Sequence, residues 1–301
     1  MSVPDVESAE VSEIAREIAS QPSTWREAVR RSGALAQVLP EVGACALAVG
    51  CGTSLYVARA YAGLREGRGR GWTDAFPASE VPAGRTYDRA IAISRSGTTT
   101  EVERFLAADR SFPTVAIVAV ADSPVARAAD AVIELGFADE RSVVQTRFAT
   151  SVLATLRAGL GDDLDPVIEQ AELALSEPAP VEPEDRDHYV FLGQGWAVGL
   201  AEEAALKLKE AAHAWSEAYP AMEFRHGPIS IAGPSSVVWA IGQVDPGVLE
   251  DAAATGASIV GGELDPMAEL VRIQRTAVAL AEAKGLDPDQ PRHLTRSVVL
   301  S

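Results

Sequence analysis

One plan runs through this sequence twice, and few folds accommodate it. An apolar strand meets a Gly-x-Gly turn, then a helix, then another strand. The first turn is Gly50-Cys51-Gly52 and the second is Gly193-Gln194-Gly195, 143 residues apart. In the first copy, 44–49 reads as a strand and the helix behind the turn runs to about 66. Strands follow at 89–93 (RAIAI), 114–120 (TVAIVAV) and 131–135, separated by short helices at 101–108 and 123–129. Residues 146–176 read as helical. The second copy has strands at 188–192 (HYVFL), 237–241 (VVWAI) and, weakly, 257–260, with a long helix at 199–214 and a last helix at 267–285. Strands that alternate with short helices predict α/β units: parallel sheets with helices on both faces. The second unit has fewer strands and is the shorter.

Around these units, residues 8–38 carry Val11, Ile14, Ile18, Trp25 and Val29 at helical spacing. The expected division is an N-terminal helical segment at 1–38, a first domain at 39–176, a linker at 177–186 and a second domain with its tail at 187–301. The linker, EPAPVEPEDR, holds three prolines and four acids. A length of 301 residues suits about two domains. The formal charge of −17 argues against nucleic acid or an anionic membrane as a bulk partner, because both require basic surface. No apolar run is long enough to span a bilayer, and the acidic N-terminus lacks an apolar signal core, so a cytoplasmic protein is expected. Two cysteines make neither a disulfide framework nor a zinc site.

Neither Gly-x-Gly turn continues as G-x-G-x-x-G, which argues against dinucleotide binding. No Walker sequence or G-x-S-x-G elbow is present, and the four histidines lack metal spacing. Ser94-Arg95-Ser96-Gly97-Thr98-Thr99 is more informative. Hydroxyls gather where a parallel strand enters a helix, and helix N-termini offer unpaired N–H groups to anions. Gly52-Thr53-Ser54 lies at the equivalent turn of the neighbouring strand and lines the same crevice. One such turn is ordinary helix capping; two adjacent ones point to an anion such as a phosphate. Lysine occurs only at 207, 209 and 284, among 26 basic residues. Glu203, Lys207 and Glu210 share a helix face, an arrangement whose spacing alone favours a solvated ion-pair stripe. His226, before Gly227-Pro228, stands at an element's end.

GCGTS (50–54), SRSGTT (94–99), FLGQG (191–195), EEAALKLKEAAHAWSEAYPAMEFRHGP (202–228) and DPDQPRHLTRS (287–297) resemble the isomerase half of glucosamine-6-phosphate synthase. More broadly, they resemble the SIS (sugar isomerase) family and its stand-alone amino-sugar-phosphate isomerases, deaminases and deglycases. The resemblance implies two flavodoxin-like αβα units and a sugar-phosphate or amino-sugar-phosphate substrate, with no cofactor or metal. It implies that Ser54, Ser94, Ser96 and Thr99 hold the phosphate, aided by Arg95, and that Val143 and Gln145 line the sugar site. It assigns Glu210 as the base between C1 and C2 and Lys207 as the group stabilising the open-chain oxygen. His226 would open the ring, donated from the partner subunit of a homodimer.

Three positions depart from the pattern. Arg296 replaces the tail lysine that forms an imine in the synthase, and an arginine is no nucleophile. Gln145 stands for a serine and Arg95 for a glutamine, which changes the polar contacts offered to substrate. Isomerisation, deamination and deglycation all remain open at this point. So does a sugar-phosphate sensor that binds without turnover.

Overall fold

The computed structural model describes residues 11–108, 111–180 and 186–300. The predicted helix before residue 11 and the middle of the predicted linker lie outside them. The first sheet contains β1 (Ala46–Gly50), β2 (Thr73–Pro77), β3 (Arg89–Ser94), β4 (Thr114–Val118) and β5 (Ala131–Glu134). All are parallel, in the order β2-β1-β3-β4-β5. The second contains β6 (His188–Gly193), β7 (Trp215–Pro220), β8 (Ser236–Ile241) and β9 (Ser258–Gly261), parallel in the order β7-β6-β8-β9. This is the flavodoxin-like order, complete in the first unit and one strand short in the second.

The helices are α1 (Glu13–Ala19), α2 (Gln21–Arg31), α3 (Thr53–Gly67), α4 (Thr100–Ala107), α5 (Pro124–Ala128), α6 (Arg147–Gly159), α7 (Asp165–Ser176), α8 (Ala197–Ala212), α9 (Pro246–Ala254) and α10 (Pro266–Ala283). Alternation along the strands sets the layers. Leu47, Val49, Ala90, Ala92, Ala116 and Val118 face α4 and α5, where Val102, Phe105 and Val125 close the outer core. Ala48, Ile91, Ile93, Val115 and Ile117 face inward. From the second sheet, Tyr189, Phe191, Val237, Trp239 and Ile241 point into the same inner core. Helices α3, α6, α7, α8 and α10 therefore form one shared layer between two sheets. Among the described residues, no helix is long and apolar enough to cross a membrane.

Four elements differ from the sequence expectation. The edge strands β2 and β7 were not predicted, because TDAFP and WSEAYP carry polar residues in place of an apolar run. Each ends in a proline paired beside the glycine of its neighbour, Pro77 beside Gly50 and Pro220 beside Gly193. Proline is tolerated there because an edge strand need not donate outward. The predicted helix at 146–176 is two helices, α6 and α7, since Gly161 turns left-handed (φ +94°) and Pro166 starts the next helix. Helix α9 is also new. Asp245 caps it by accepting from Gly247 N at 2.9 Å, and only Val248 and Ala252 are buried, too few to make a visible stripe.

Candidate functional site

Helices α3 and α8 cross antiparallel at very short range, and this crossing builds the site. A Cβ at Gly199 would lie 2.6 Å from both Tyr56 O and Ala60 N, so only glycine lets the backbones meet. Further along the crossing, Arg59 pairs with Glu202. At its end the first residue of α3, Thr53, reaches the charged face of α8. Lys207 Nζ donates to Thr53 Oγ1 at 3.0 Å and to Glu210 Oε2 at 2.6 Å, and it lies 3.3 Å from Glu203 Oε1. Thr53 Oγ1 in turn donates to Glu203 at 3.2 Å.

This is no solvated stripe. The side chains of Glu203 and Lys207 are 0% and 1% exposed, while that of Glu210 keeps 18%. Burial pushes the Glu203 carboxyl up to about 7, against the pull of Lys207, and the nearby Glu210 charge adds to the rise. Burial alone would lower the Lys207 pKa, but the two carboxylates outweigh it and hold the ammonium above its usual value.

Above this cluster lies a cavity of about 220 Å³ lined by Cys51, Gly52, Thr53, Thr99, Val143, Gln145, Glu210 and residues 294–298. The hydroxyl-rich turn after β3 borders it. Ser94 Oγ meets Thr99 Oγ1 at 3.2 Å, and Ser96 Oγ accepts from Thr98 N at 3.2 Å and from Thr98 Oγ1 at 3.0 Å. Gly97 holds the turn with φ +67°, and a Cβ there would strike Ser123 Oγ, the cap of α5. Ser54 is buried in the first turn of α3. Thus a turn from the first unit and a carboxylate from the second face one space.

The tail forms the remaining wall. Thr100 N donates to Val298 O at 3.2 Å, Leu300 N to Thr100 Oγ1 at 2.9 Å, and Thr98 Oγ1 meets Ser297 Oγ at 2.8 Å. The tail is therefore pinned across the N-terminus of α4.

Of the residues singled out in the sequence, Thr53, Thr99, Val143, Gln145, Glu210 and Arg296 line the cavity. Lys207 does not: it is enclosed beneath Thr53 and Glu210. Arg95 is buried and committed to backbone carbonyls at Ser142, Val143 and Arg296. Its Nε is buried without a hydrogen-bond partner, while both Nη groups are engaged along the loop and the tail. The Arg296 side chain is also engaged, at Asp139 Oδ1 (2.5 Å) and at Glu140 O. His226 is exposed on the 3₁₀ turn Ala221–His226 and does not line this cavity. Two contributors carry no assignment from the sequence. Glu203 had the right spacing, but its burial depends on the α3 crossing. Glu140, fully buried, receives Thr146 N at 2.6 Å, Thr146 Oγ1 at 2.8 Å and Arg147 N at 2.8 Å. Among the described residues, no three of His, Cys, Asp or Glu are grouped to hold a metal.

No protein-family model matches the chain. It is 30% identical to a glutamine–fructose-6-phosphate aminotransferase (isomerizing) of Methanothermobacter thermautotrophicus, over 95% of this chain and 57% of that protein. The chain thus spans little more than half the length of that curated relative. Its structure is similar to glucosamine-6-phosphate deaminase from Thermotoga maritima, with a TM-score of 0.85 and 24% identity, covering 96% of this chain and all of the other. It is also similar to the C-terminal domain of glucosamine-fructose-6-phosphate aminotransferase from Francisella tularensis, with a TM-score of 0.80 and 21% identity, covering 95% and 99%. Its two-unit parallel fold and these relatives fit the SIS (sugar isomerase) family that the sequence resembles.

Proposed function

We propose that this chain is a phosphosugar isomerase or deaminase that moves a proton between C1 and C2 of an open-chain amino- or ketosugar phosphate. The observation that carries the reading is the bridge from Thr53 through Lys207 to Glu210, at 3.0 and 2.6 Å, directly below the cavity. It joins the hydroxyl-rich turns to a carboxylate that keeps access to the cavity.

The phosphate would sit at Ser54, Ser94, Ser96, Thr99 and Thr53, hydroxyls at the start of α3 and in the turn that leads from β3 into α4. Glu210 would take the C2 proton of an aldose and return it to C1. With a hydroxyl at C2, that transfer gives the ketose. With an amine at C2, it gives a ketimine, which water hydrolyses to the ketose and ammonia. Lys207 holds the Glu210 carboxylate in place, and Glu203 holds Lys207 from behind. Because the ammonium is enclosed, we assign it to Glu210 rather than to the substrate oxygen. In a homodimer, the exposed His226 would serve the partner's cavity as the ring-opening acid/base. A fixed carboxylate next to a carbonyl is suited to such a transfer, for which proton-transfer groups usually supply ~10²–10⁴-fold. Arg296 is ion-paired and offers no amine, so no imine with the protein forms in this scheme.

The test is incubation with glucosamine-6-phosphate, with fructose-6-phosphate plus ammonia, and with fructosamine-6-phosphates, following ammonia release and ketose formation. Turnover by the wild type and its loss in Glu210→Gln is the expected result. Tight binding of these compounds without turnover of any would make the chain a sensor and overturn the enzymatic reading.

A further inference from the structure

The cavity walls come from separated parts of the chain, and one side chain joins two of them. Arg95 Nη1 donates to Ser142 O at 2.8 Å, and Nη2 donates to Val143 O at 3.3 Å and to Arg296 O at 3.0 Å. Val143 belongs to the loop wall and Arg296 to the tail wall. The Arg95 side chain is 1% exposed, and its counter-ion is Glu140, 3.7 Å away and wholly buried. The tail answers in kind: the guanidinium of Arg296 bonds Asp139 Oδ1 and Glu140 O, in the stretch leading into the same loop. Two arginines thus lock loop and tail from opposite sides.

The residue type matters. A guanidinium is a planar fork of donors, able to hold carbonyls from different segments in one geometry. An amide has two donors, and a lysine is a flexible point charge. Where the resemblance leads one to expect glutamine, this chain has an arginine that points away from the phosphate turn and into the wall.

We propose that Arg95 is a positioning residue: it fixes the tail against the 142–145 loop and so sets how tightly the cavity holds its substrate, leaving the proton transfer itself to Glu210. The kinetic part rests on the phosphosugar reading; the structural part does not.

The experiment uses the full chain in four forms: wild type, Arg95→Gln, Arg95→Lys, and the double variant Arg95→Gln/Glu140→Gln. The double variant removes the buried carboxylate that the single change leaves unpaired, so it keeps the test available if the single variant does not fold. Amide hydrogen exchange is followed at Thr100 and Leu300, whose N–H groups bond the tail and its anchor without touching Arg95. Ile117 in β4 is the control. Exchange at Thr100 and Leu300 is expected to quicken about tenfold or more in the double variant, with Ile117 unmoved. Unchanged exchange at both amides overturns the proposal.

On the phosphosugar that the wild type turns over, KM is expected to rise about tenfold while kcat changes less than about threefold. A fall in kcat with KM unmoved overturns it, since that would place Arg95 in the chemical step. Full recovery of KM in Arg95→Lys would also overturn it, because a single ammonium cannot span the three carbonyls. Should the wild type turn over none of the phosphosugars, the enzymatic reading fails, and the exchange result still decides the role of Arg95.

Discussion

The two units offer the same crevice and fill it differently. In both, the first strand ends in a glycine turn beside the next inner strand, the place where open parallel sheets bind ligands. In the first unit that place is lined by Thr53 and Thr99, backed by Ser94 and Ser96, and closed by the tail. In the second, a wider cavity of about 650 Å³ is lined by Gln194, Trp196, Gln243, Glu263, Asp265 and neighbouring glycines, with no serine or threonine. Asp265 there is already used: it caps α10 at Met267 N (2.9 Å) and pairs with Arg157 (2.8 Å). The fold supplies the crevice twice, but only one copy carries hydroxyls for an anion. The second unit serves the first by lending it α8, and with it Glu210. Duplication of a scaffold does not duplicate its chemistry.

Substitutions that treat the two crevices alike should give unlike results. Glu210→Gln should lower kcat on the active phosphosugar by about 10²-fold or more, while Gln243→Ala in the second crevice should leave it within about twofold. Comparable losses from both would end the division of labour described here. Next in size is Lys207→Met, which leaves Glu203 buried without its cation. Breaking a buried pair from one side costs about 3–5 kcal/mol, read as a lower urea midpoint. Adding Glu203→Gln should recover part of that loss, because it removes the stranded charge. No recovery would mean that packing, rather than charge, sets the cost.

Smaller again is Gly199→Ala. The new methyl would meet Tyr56 O and Ala60 N at 2.6 Å. Overpacking of this kind costs about 1–3 kcal/mol and would part α3 from α8. Since Thr53 and Lys207 meet only through that crossing, kcat should fall even where the fold survives, as checked by denaturation and kinetics on the same sample. The matching change in the outer layer, Gly247→Ala, meets the end of the flexible Arg225 side chain and should leave kcat unmoved.

What could be read from the sequence was local. The strands that became β1, β3, β4, β6 and β8 are short apolar runs, and the hydroxyl turns sit at their ends, so both were visible in a few residues. The edge strands β2 and β7 were not, because TDAFP and WSEAYP break the apolar run with polar residues, which the opposite edges β5 and β9 largely keep. The charged face of α8 was visible as a spacing, yet spacing alone favours a solvated stripe. Its burial comes from Gly199 and a helix about 150 residues earlier. Arg95 and Arg296 were visible as departures from a pattern. Their partners lie 47 to 201 residues away in the chain, and no local rule connects them.

The smallest effect concerns a proton. Glu203 is fully buried and its pKa lies near 7, against a reference of 4.5 in an unfolded chain. Between those values the folded protein holds a proton that the unfolded chain has released. Fewer protons are then bound in the unfolded state, so unfolding free energy falls as pH rises across that window. The stabilisation is complete below about pH 4.5 and is lost as pH passes about 7. Burial raises Glu140, Glu202 and Glu269 in the same direction, so the wild-type curve alone does not isolate one carboxyl. Glu203→Gln does, since its amide stays neutral throughout. The difference between the wild-type and variant urea midpoints, taken from pH 4.5 to 8, should grow steadily in the variant's favour and level off above about pH 7. Parallel curves would mean that Glu203 is ionised throughout that range. Lys207 would then be shared between two carboxylates even at low pH, and its hold on Glu210 would be weaker than the 2.6 Å contact suggests. Glu269, another buried carboxyl of the second unit, accepts from Trp239 Nε1 at 2.7 Å rather than from a lysine beneath a cavity. Glu269→Gln should therefore change the stability curve alone, whereas Glu203→Gln should also move the pH profile of turnover.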